Sequence, residues 1–313
     1  MKKNRAFLIL ASFVFLVSLG FILLKLGYIS FPNINLGFRN TYLAFSPDGV
    51  SFTSRKKVLT AFNVSCGIRL KDGTIALYGE DFVRNPDKII VNPTTGFKIT
   101  DLAVAVSEDG EQFERGELSI KNLTRNIQGA DSAVVQLPDG RYRLYFVDNN
   151  NKEMFSALSN DGYDFTFEGK VDDIHMADPE IMYEQKAKNY YLFGRTDTQD
   201  GNLIVFTSKD GRHFSSQKEI VSPFNVQFSI ISNGENYTAY GTPFYKTGVG
   251  GIPQSTSFDF RYPIMASSRN GLDWQWSEKV MTGPWKTKTT VVGSSAVIES
   301  GNGQSLFFYW TEK

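Results

Sequence analysis

Short apolar runs separated by polar turns fill the chain from residue 41 onward, and they come in two alternating kinds. One kind is a brief strand such as "LAVAV" (Leu102–Val106), "LIVFT" (Leu203–Thr207) or "PIMAS" (Pro263–Ser267), closed by a Ser-x-Asp-Gly or Ser-x-Asn-Gly turn. The other is a hairpin whose second strand is aromatic: "CGIRLKDGTIALYG" from Cys66, "SAVVQLPDGRYRLYFVD" from Ser132, "PEIMYEQKAKNYYLFG" from Pro179, "FSIISNGENYTAYG" from Phe228 and "SAVIESGNGQSLFFYW" from Ser295. Asp-Gly and Asn-Gly supply the positive φ that tight reversals between strands need. Each pair of units therefore predicts four antiparallel strands.

The turns recur as "SPDGVSF" (Ser46), "SEDGEQF" (Ser107), "SNDGYDF" (Ser159), "SKDGRHF" (Ser208) and "SRNGLDW" (Ser268), spaced by 61, 52, 49 and 60 residues. A four-stranded unit of this length cannot bury both faces alone and must stack on its neighbours. Radial stacking gives a propeller, which leaves few open edges. The order is offset, since the repeating region opens on a turn and ends on an aromatic hairpin. The expectation is an all-β, five-bladed β-propeller over residues 41–313, closed by pairing the segment near 41–53 with the blade containing 294–310. The turns join the two outer strands of each blade, their Ser and Asp side chains bond the turn backbone, and the following aromatic packs between blades.

The first residues follow a different pattern. Lys2, Lys3 and Arg5 precede Ala6–Leu24, nineteen residues without a charge, near the roughly 20 needed to cross a bilayer as a helix. No small-x-small cleavage site is clear, and basic residues before an apolar span stay in the cytoplasm. The chain then divides into a basic tail at 1–5, a single-pass signal anchor at 6–26, a tether at 27–40 and an extracytoplasmic propeller on the cell membrane.

Composition narrows the chemistry. Basic and acidic residues balance at 33 each without long blocks of one sign, which argues against nucleic acid as a partner. Cys66 is the single cysteine, so no internal disulfide forms, and only His175 and His213 add to the metal-ligating set. No metal and no cofactor is expected. His175, beside Asp172 and Asp173, reads as a loop histidine. "NVS", "NLT" and "NYT" at Asn63, Asn122 and Asn236 fit the glycosylation pattern.

"GADSAVVQLPDGRYRLYF" and "ADPEIMYEQKAKNYYLFGR" resemble the five-bladed propeller glycosidases, a group that includes arabinanases, β-xylosidases, invertases and mannoside phosphorylases. The turns resemble a shortened Asp-box of sialidases, whose six-bladed propeller is the alternative architecture. The resemblance implies a glycoside hydrolase acting on a poly- or oligosaccharide, with an acidic trio on consecutive inner strands: a base or nucleophile Asp, a pKa-tuning Asp and an acid Glu. Asp131 matches the tuning position, and Glu180 is the nearest match to the acid. The family Glu precedes a proline, whereas Ala177 and Asp178 precede Pro179 here. Val64 stands in the first-blade position between Asn63 and Ser65. The alternative function is a non-catalytic carbohydrate- or protein-binding propeller.

Inner strands open onto one mouth of a propeller, and strand alternation would put Asp178 and Glu180 on the same side. Asp131 or Asp178 would then raise the Glu180 pKa by like-charge repulsion. Asp131, Asp178 and Glu180 are the candidate catalytic residues. Asn63, Ser65, Gln227 and Ser294 on the inner strands, with Asp148, Arg195 and Asp197 exposed at the mouth, are candidate substrate contacts. Tyr245, with Phe258, Phe260 and Tyr262, lies in a long mouth loop and could stack on a sugar ring, as could Trp285.

Overall fold

The computed structural model describes residues 40–81, 90–91, 96–195, 202–221, 228–232, 236–241, 264–276, 291–299 and 305–312. They belong to one unit, Phe38–Lys313. The segment proposed as an anchor, 6–26, lies outside the described residues.

The described strands begin with β1 (Asn40–Ser46) and β2 (Thr53–Leu59), then β3 (Phe62–Arg69), β4 (Ile75–Asp81), the short β5 (Ile90–Val91) and β6 (Lys98–Thr100), β7 (Leu102–Ser107) and β8 (Glu114–Arg115). It continues through β9 (Ser119–Lys121), β10 (Ile127–Gln136), β11 (Tyr142–Asp148), β12 (Glu153–Ser159) and β13 (Asp164–His175). After these come β14 (Ala177–Glu184), β15 (Asn189–Arg195), β16 (Asn202–Ser208) and β17 (Ser215–Val221). The remaining strands are β18 (Ser229–Ser232), β19 (Tyr237–Gly241), β20 (Ile264–Ser268), β21 (Trp274–Trp276), β22 (Val291–Glu299) and β23 (Ser305–Glu312).

Among the described residues these strands make five sheets. Four-stranded sheets run β3-β4-β7-β8, β14-β15-β16-β17 and β18-β19-β20-β21. The second blade, β10-β11-β12-β13, is widened by β6 and β5 on the β10 edge and by β9 on the β13 edge. Both β6 and β9 pair in parallel with it. The fifth sheet is β22-β23-β1-β2, so the first two strands complete the last blade. Register runs from Asn40 opposite Thr311 to Ser46 opposite Ser305. The inner strands abut in the order β22, β3, β10, β14, β18 and back to β22. The sheets form a closed propeller, as the offset of the repeats predicts.

Each turn Ser Oγ donates to the Asp or Asn Oδ1 two positions on, at 2.8, 2.9, 2.8, 2.9 and 3.2 Å for Ser46, Ser107, Ser159, Ser208 and Ser268. That same oxygen accepts two further backbone amides, as Asp161 does from Tyr163 and Asp164 at 2.8 and 2.9 Å. The glycines have φ between +70° and +90°, which only glycine adopts freely. Backbone amides and the serine hold the Asp48 and Asp109 carboxyls below their ordinary range. At Asp161 and Asp210 burial pushes the other way, and the amides outweigh it.

The aromatic that ends each turn stands edge-on against an aromatic in the preceding blade. Phe113 meets Phe308, Phe165 meets Tyr78, Phe214 meets Tyr145, Trp274 meets Phe193 and Phe52 meets Tyr240, with ring centroids 5.3, 6.2, 6.4, 6.3 and 6.4 Å apart. Interplanar angles of 71–87° make every one of them T-shaped, the arrangement ring quadrupoles prefer. One such contact sits at each of the five seams. Tyr78 and Tyr145 also donate their hydroxyls to the carbonyls of Gly162 and Gly211, at 2.7 and 2.6 Å.

Candidate functional site

The inner strands are not regular. In β3, Val64 pairs with Gly79 and Cys66 with Tyr78, leaving Ser65 extra. In β10, Ala130 pairs with Val147 and Ala133 with Tyr145, so Asp131 and Ser132 share one partner position. In β14, Ala177 pairs with Arg195 and Glu180 with Phe193, so Asp178 and Pro179 do the same. β22 bulges one step higher, at Gly293 and Ser294. An extra residue in one strand bends it and re-aims a side chain.

Because Tyr78, Tyr145 and Phe193 hold the same place at successive seams, Val64, Asp131 and Asp178 occupy equivalent positions on three adjacent inner strands. Asp131 and Asp178 share a left-handed backbone, with φ of +42° and +52°. Aspartate enters that region more readily than most residues, though at a cost. Two carboxylates thus stand on equivalent left-handed bulges at the head of adjacent inner strands. Both are half-buried. Arg195 Nη1 lies 3.5 Å from Asp178 Oδ2, and the two side chains are 26% and 17% exposed.

The third equivalent position is different in kind. Val64 is fully buried. Its neighbours Asn63 and Ser65 are buried as well. Asn63 Nδ2 donates to Glu80 Oε2 at 3.1 Å, while Asn63 Oδ1 and Ser65 Oγ have no hydrogen-bond partner.

Glu180 lies one step deeper than the bulge, and the expectation of a shared side with Asp178 fails. Strand alternation holds only in a regular strand, and the bulge at Asp178–Pro179 interrupts it. Glu180 is 8% exposed, and its Oε1 accepts the Ile230 amide of the next blade at 2.8 Å. Burial pushes its carboxyl up to about 8, with the Ile230 amide pulling part of the way back. The cause is desolvation rather than the like-charge repulsion expected from the neighbouring aspartates.

Asp148 is also not an exposed mouth residue. It is 2% exposed, and its Oδ1 accepts the Asn150 backbone amide and side-chain amide at 3.2 and 3.0 Å. Arg125 Nη2 approaches Oδ2 at 3.6 Å. A carboxylate that bonds the backbone two residues on is a turn-forming group. His175 keeps local company, its Nδ1 3.1 Å from the Asn151 carbonyl oxygen and its Nε2 3.6 Å from Asp173. Of the glycosylation triplets, Asn63 is buried and Asn122 exposed. Asp197, Gln227, Tyr245 and Trp285 lie outside the described residues, and Ser294 is described only by its backbone in the β22 bulge.

No family model matches the chain, and no curated protein matches it by sequence. Solved structures do match. A thermostable family-43 glycoside hydrolase superposes with a TM-score of 0.55 at 12% identity, over 80% of this chain and 84% of that one. A GH43 enzyme from Xanthomonas citri, solved with xylotriose, gives 0.55 at 12% identity over 79% and 81%. An exo-β-1,3-galactanase from Phanerochaete chrysosporium, solved with galactose, gives 0.55 at 12% identity over 80% of this chain and 61% of its own. The structural neighbours are thus GH43 propeller glycosidases, and at such identity the likeness is one of fold.

Proposed function

We propose that this chain is a glycosidase-like propeller, held in the cell membrane by a helix over residues 6–26 with residues 41–313 outside, which takes a poly- or oligosaccharide at the mouth bearing Asp131 and Asp178. One observation carries the reading: the two carboxylates sit on equivalent left-handed bulges of adjacent inner strands, with Arg195 beside Asp178. The energetic cost of such a backbone is tolerated where it positions a group for use. The fold supports the same reading, since neighbours sharing it are solved with galactose and xylotriose.

Breaking a glycosidic bond needs one group to protonate the leaving oxygen and another to activate water or attack the sugar, with carboxyls about 5–9.5 Å apart. Asp131 and Asp178 share these two roles in this reading, and the ion pair with Arg195 favours the charged form of Asp178, which suits it to the attacking side. Arg195 both orients Asp178 and offers donors to sugar hydroxyls. A second reading, glycan binding without turnover, is favoured by the buried Val64 at the first-blade position. A valine there can neither take a proton nor attack a sugar.

Both readings are tested by screening the full chain against aryl glycosides, xylotriose and β-1,3-galactotriose for turnover and binding, beside Asp131→Asn and Asp178→Asn. Turnover lost in both variants establishes the hydrolase. Binding without turnover in the unmodified protein establishes the second reading, and no binding to any glycan overturns both.

A further inference from the structure

Below the bulges the inner strands present another ring of equivalent positions. Cys66, Ala133, Glu180, Ser229 and Ala296 pair with Tyr78, Tyr145, Phe193, Tyr240 and Phe308, the same place in each blade. Two of these side chains reach across a seam in the same manner. Glu180 Oε1 accepts the Ile230 amide at 2.8 Å, and Ser229 Oγ accepts the Val297 amide at 3.0 Å. Ile230 and Val297 are themselves equivalent, each one residue past the ring position. Two consecutive seams are thus fastened by the same bond, once by a hydroxyl and once by a carboxyl.

The comparison within the ring says what the bond requires. Ser229 does the work with a neutral oxygen, so an acceptor is needed and a charge is not. The surroundings of Glu180 agree. Cys66 on β3 faces it as a buried thiol, itself pushed up by burial and by Glu180. Ser132 on β10 contacts that thiol at 3.7 Å. β18 brings only Ser229, Ile230, Ile231 and Ser232, and the described side chains at this level of β22 are Ala296 and Val297. Toward the mouth, Asp131 on β10 and Asp178 of its own blade stand one level up at the bulges, and Arg195 pairs with Ala177 above them. Among the described residues no cation contacts Glu180. Among the described residues an ionised carboxylate here would have the Ile230 amide but no cation to compensate its burial, which favours entry of water or movement of the group.

We propose that Glu180 is a positioning residue: held as a neutral acid, it ties the third blade to the fourth beneath Asp178, and its ionisation sets the alkaline limit of ligand binding at the mouth. The ligand half of this statement rests on the glycan reading above; the strut does not. The Ile230 amide bonds a carboxylate better than an acid, but the penalty of burial is the larger of the two, so losing the proton favours movement of the carboxylate into water and the seam under the Asp178 bulge opens.

The test uses the full chain and Glu180→Gln, which keeps an acceptor oxygen and the shape while removing the titration. Amide exchange at Ile230, corrected for its intrinsic pH dependence, is followed from pH 6 to 9.5, with xylotriose and β-1,3-galactotriose affinities measured over the same interval. Protection at Ile230 is expected to fall at least tenfold through pH 8 in the unmodified protein and to stay flat in Glu180→Gln. Any affinity for either sugar falls with it, in the unmodified protein only. Flat protection in the unmodified protein, or an equal fall in Glu180→Gln, overturns the proposal. Affinity that holds while protection falls overturns its ligand half. Failure of both sugars to bind, with the Ile230 transition intact, supports the strut and counts against the glycan site. Should Glu180→Gln not fold, Glu180→Ser, which copies Ser229, replaces it.

Discussion

Removing the hydroxyl of Tyr145 tests whether its bond across the seam adds to the apolar packing there. The side chain is fully buried, its hydroxyl donates to the Gly211 carbonyl at 2.6 Å, and its ring stands edge-on to Phe214 at 6.4 Å. Tyr145→Phe keeps the ring contact, worth about 0.5–1.5 kcal/mol. It leaves a buried carbonyl without its cross-seam donor, which costs about 1–3 kcal/mol. Tyr145→Ala loses both and opens a cavity, for about 3–5 kcal/mol. Urea unfolding of the full chain should therefore rank unmodified above Phe above Ala, with an unchanged slope against denaturant. Phe193 and Phe308 occupy the equivalent place at two other seams without any hydroxyl, so the fold tolerates phenylalanine there and the variant should remain a propeller. If Tyr145→Phe matches the unmodified protein within about 0.3 kcal/mol while Tyr145→Ala is strongly destabilised, the bond to Gly211 contributes nothing and the seam is held by the ring contact and by the bond from Arg143 Nη1 to the Asp210 carbonyl at 2.6 Å. That outcome would falsify the argument.

Gly211→Ala should cost more than Tyr145→Phe in the same assay, because φ is +74° and the new methyl would stand 2.6 Å from Arg143 Nη1. The turn aspartates Asp48, Asp109, Asp161 and Asp210 all have carboxyls below the ordinary value. Their contribution is therefore full above the unfolded value near 4 and is lost as pH falls through the lower folded values. Asp161→Asn should flatten part of that acid loss in denaturation measured from pH 2 to 6, since Asn270 makes the same turn without titrating. Asp178→Asn should abolish any hydrolysis while an oligosaccharide is still bound, measured as turnover against affinity. Deleting residues 6–26 should release the protein from the membrane fraction; protein that stays with the membrane after the deletion would refute the anchor.

The turns were legible in the sequence for a physical reason: a positive φ at the same place in each blade demands Gly, and the side chain that bonds the turn must be short and oxygen-bearing. The apolar runs between them gave the strands, and the offset of the two units gave the closing blade. The bulges were not legible. An extra residue in a strand has no composition of its own, so nothing in "GADSAV" or "ADPEIM" announces that Asp131 and Asp178 are left-handed, and alternation wrongly put Asp178 and Glu180 on one side. The burial of Asp148 is hidden for a related reason, since a carboxylate after a strand looks the same whether it faces solvent or bonds its own loop. Aligning the inner strands on the hairpins that follow them already brings Val64, Asp131 and Asp178 to the mouth of successive blades, and the registers add that the three positions are equivalent. Glu180 took its meaning from the Ile230 amide, fifty residues away, which no local pattern reveals.

The way the ring is closed has a mechanical consequence. β1 lies inside its sheet, hydrogen-bonded on one edge to β23 and on the other to β2. A pull on Asn40 is therefore resisted by two ladders rather than the one that holds an edge strand. Nor does the circle depend on where its backbone is interrupted. Joining the two ends and cutting at another loop should return the same ring, with a different blade stitched from two pieces and the tension carried elsewhere.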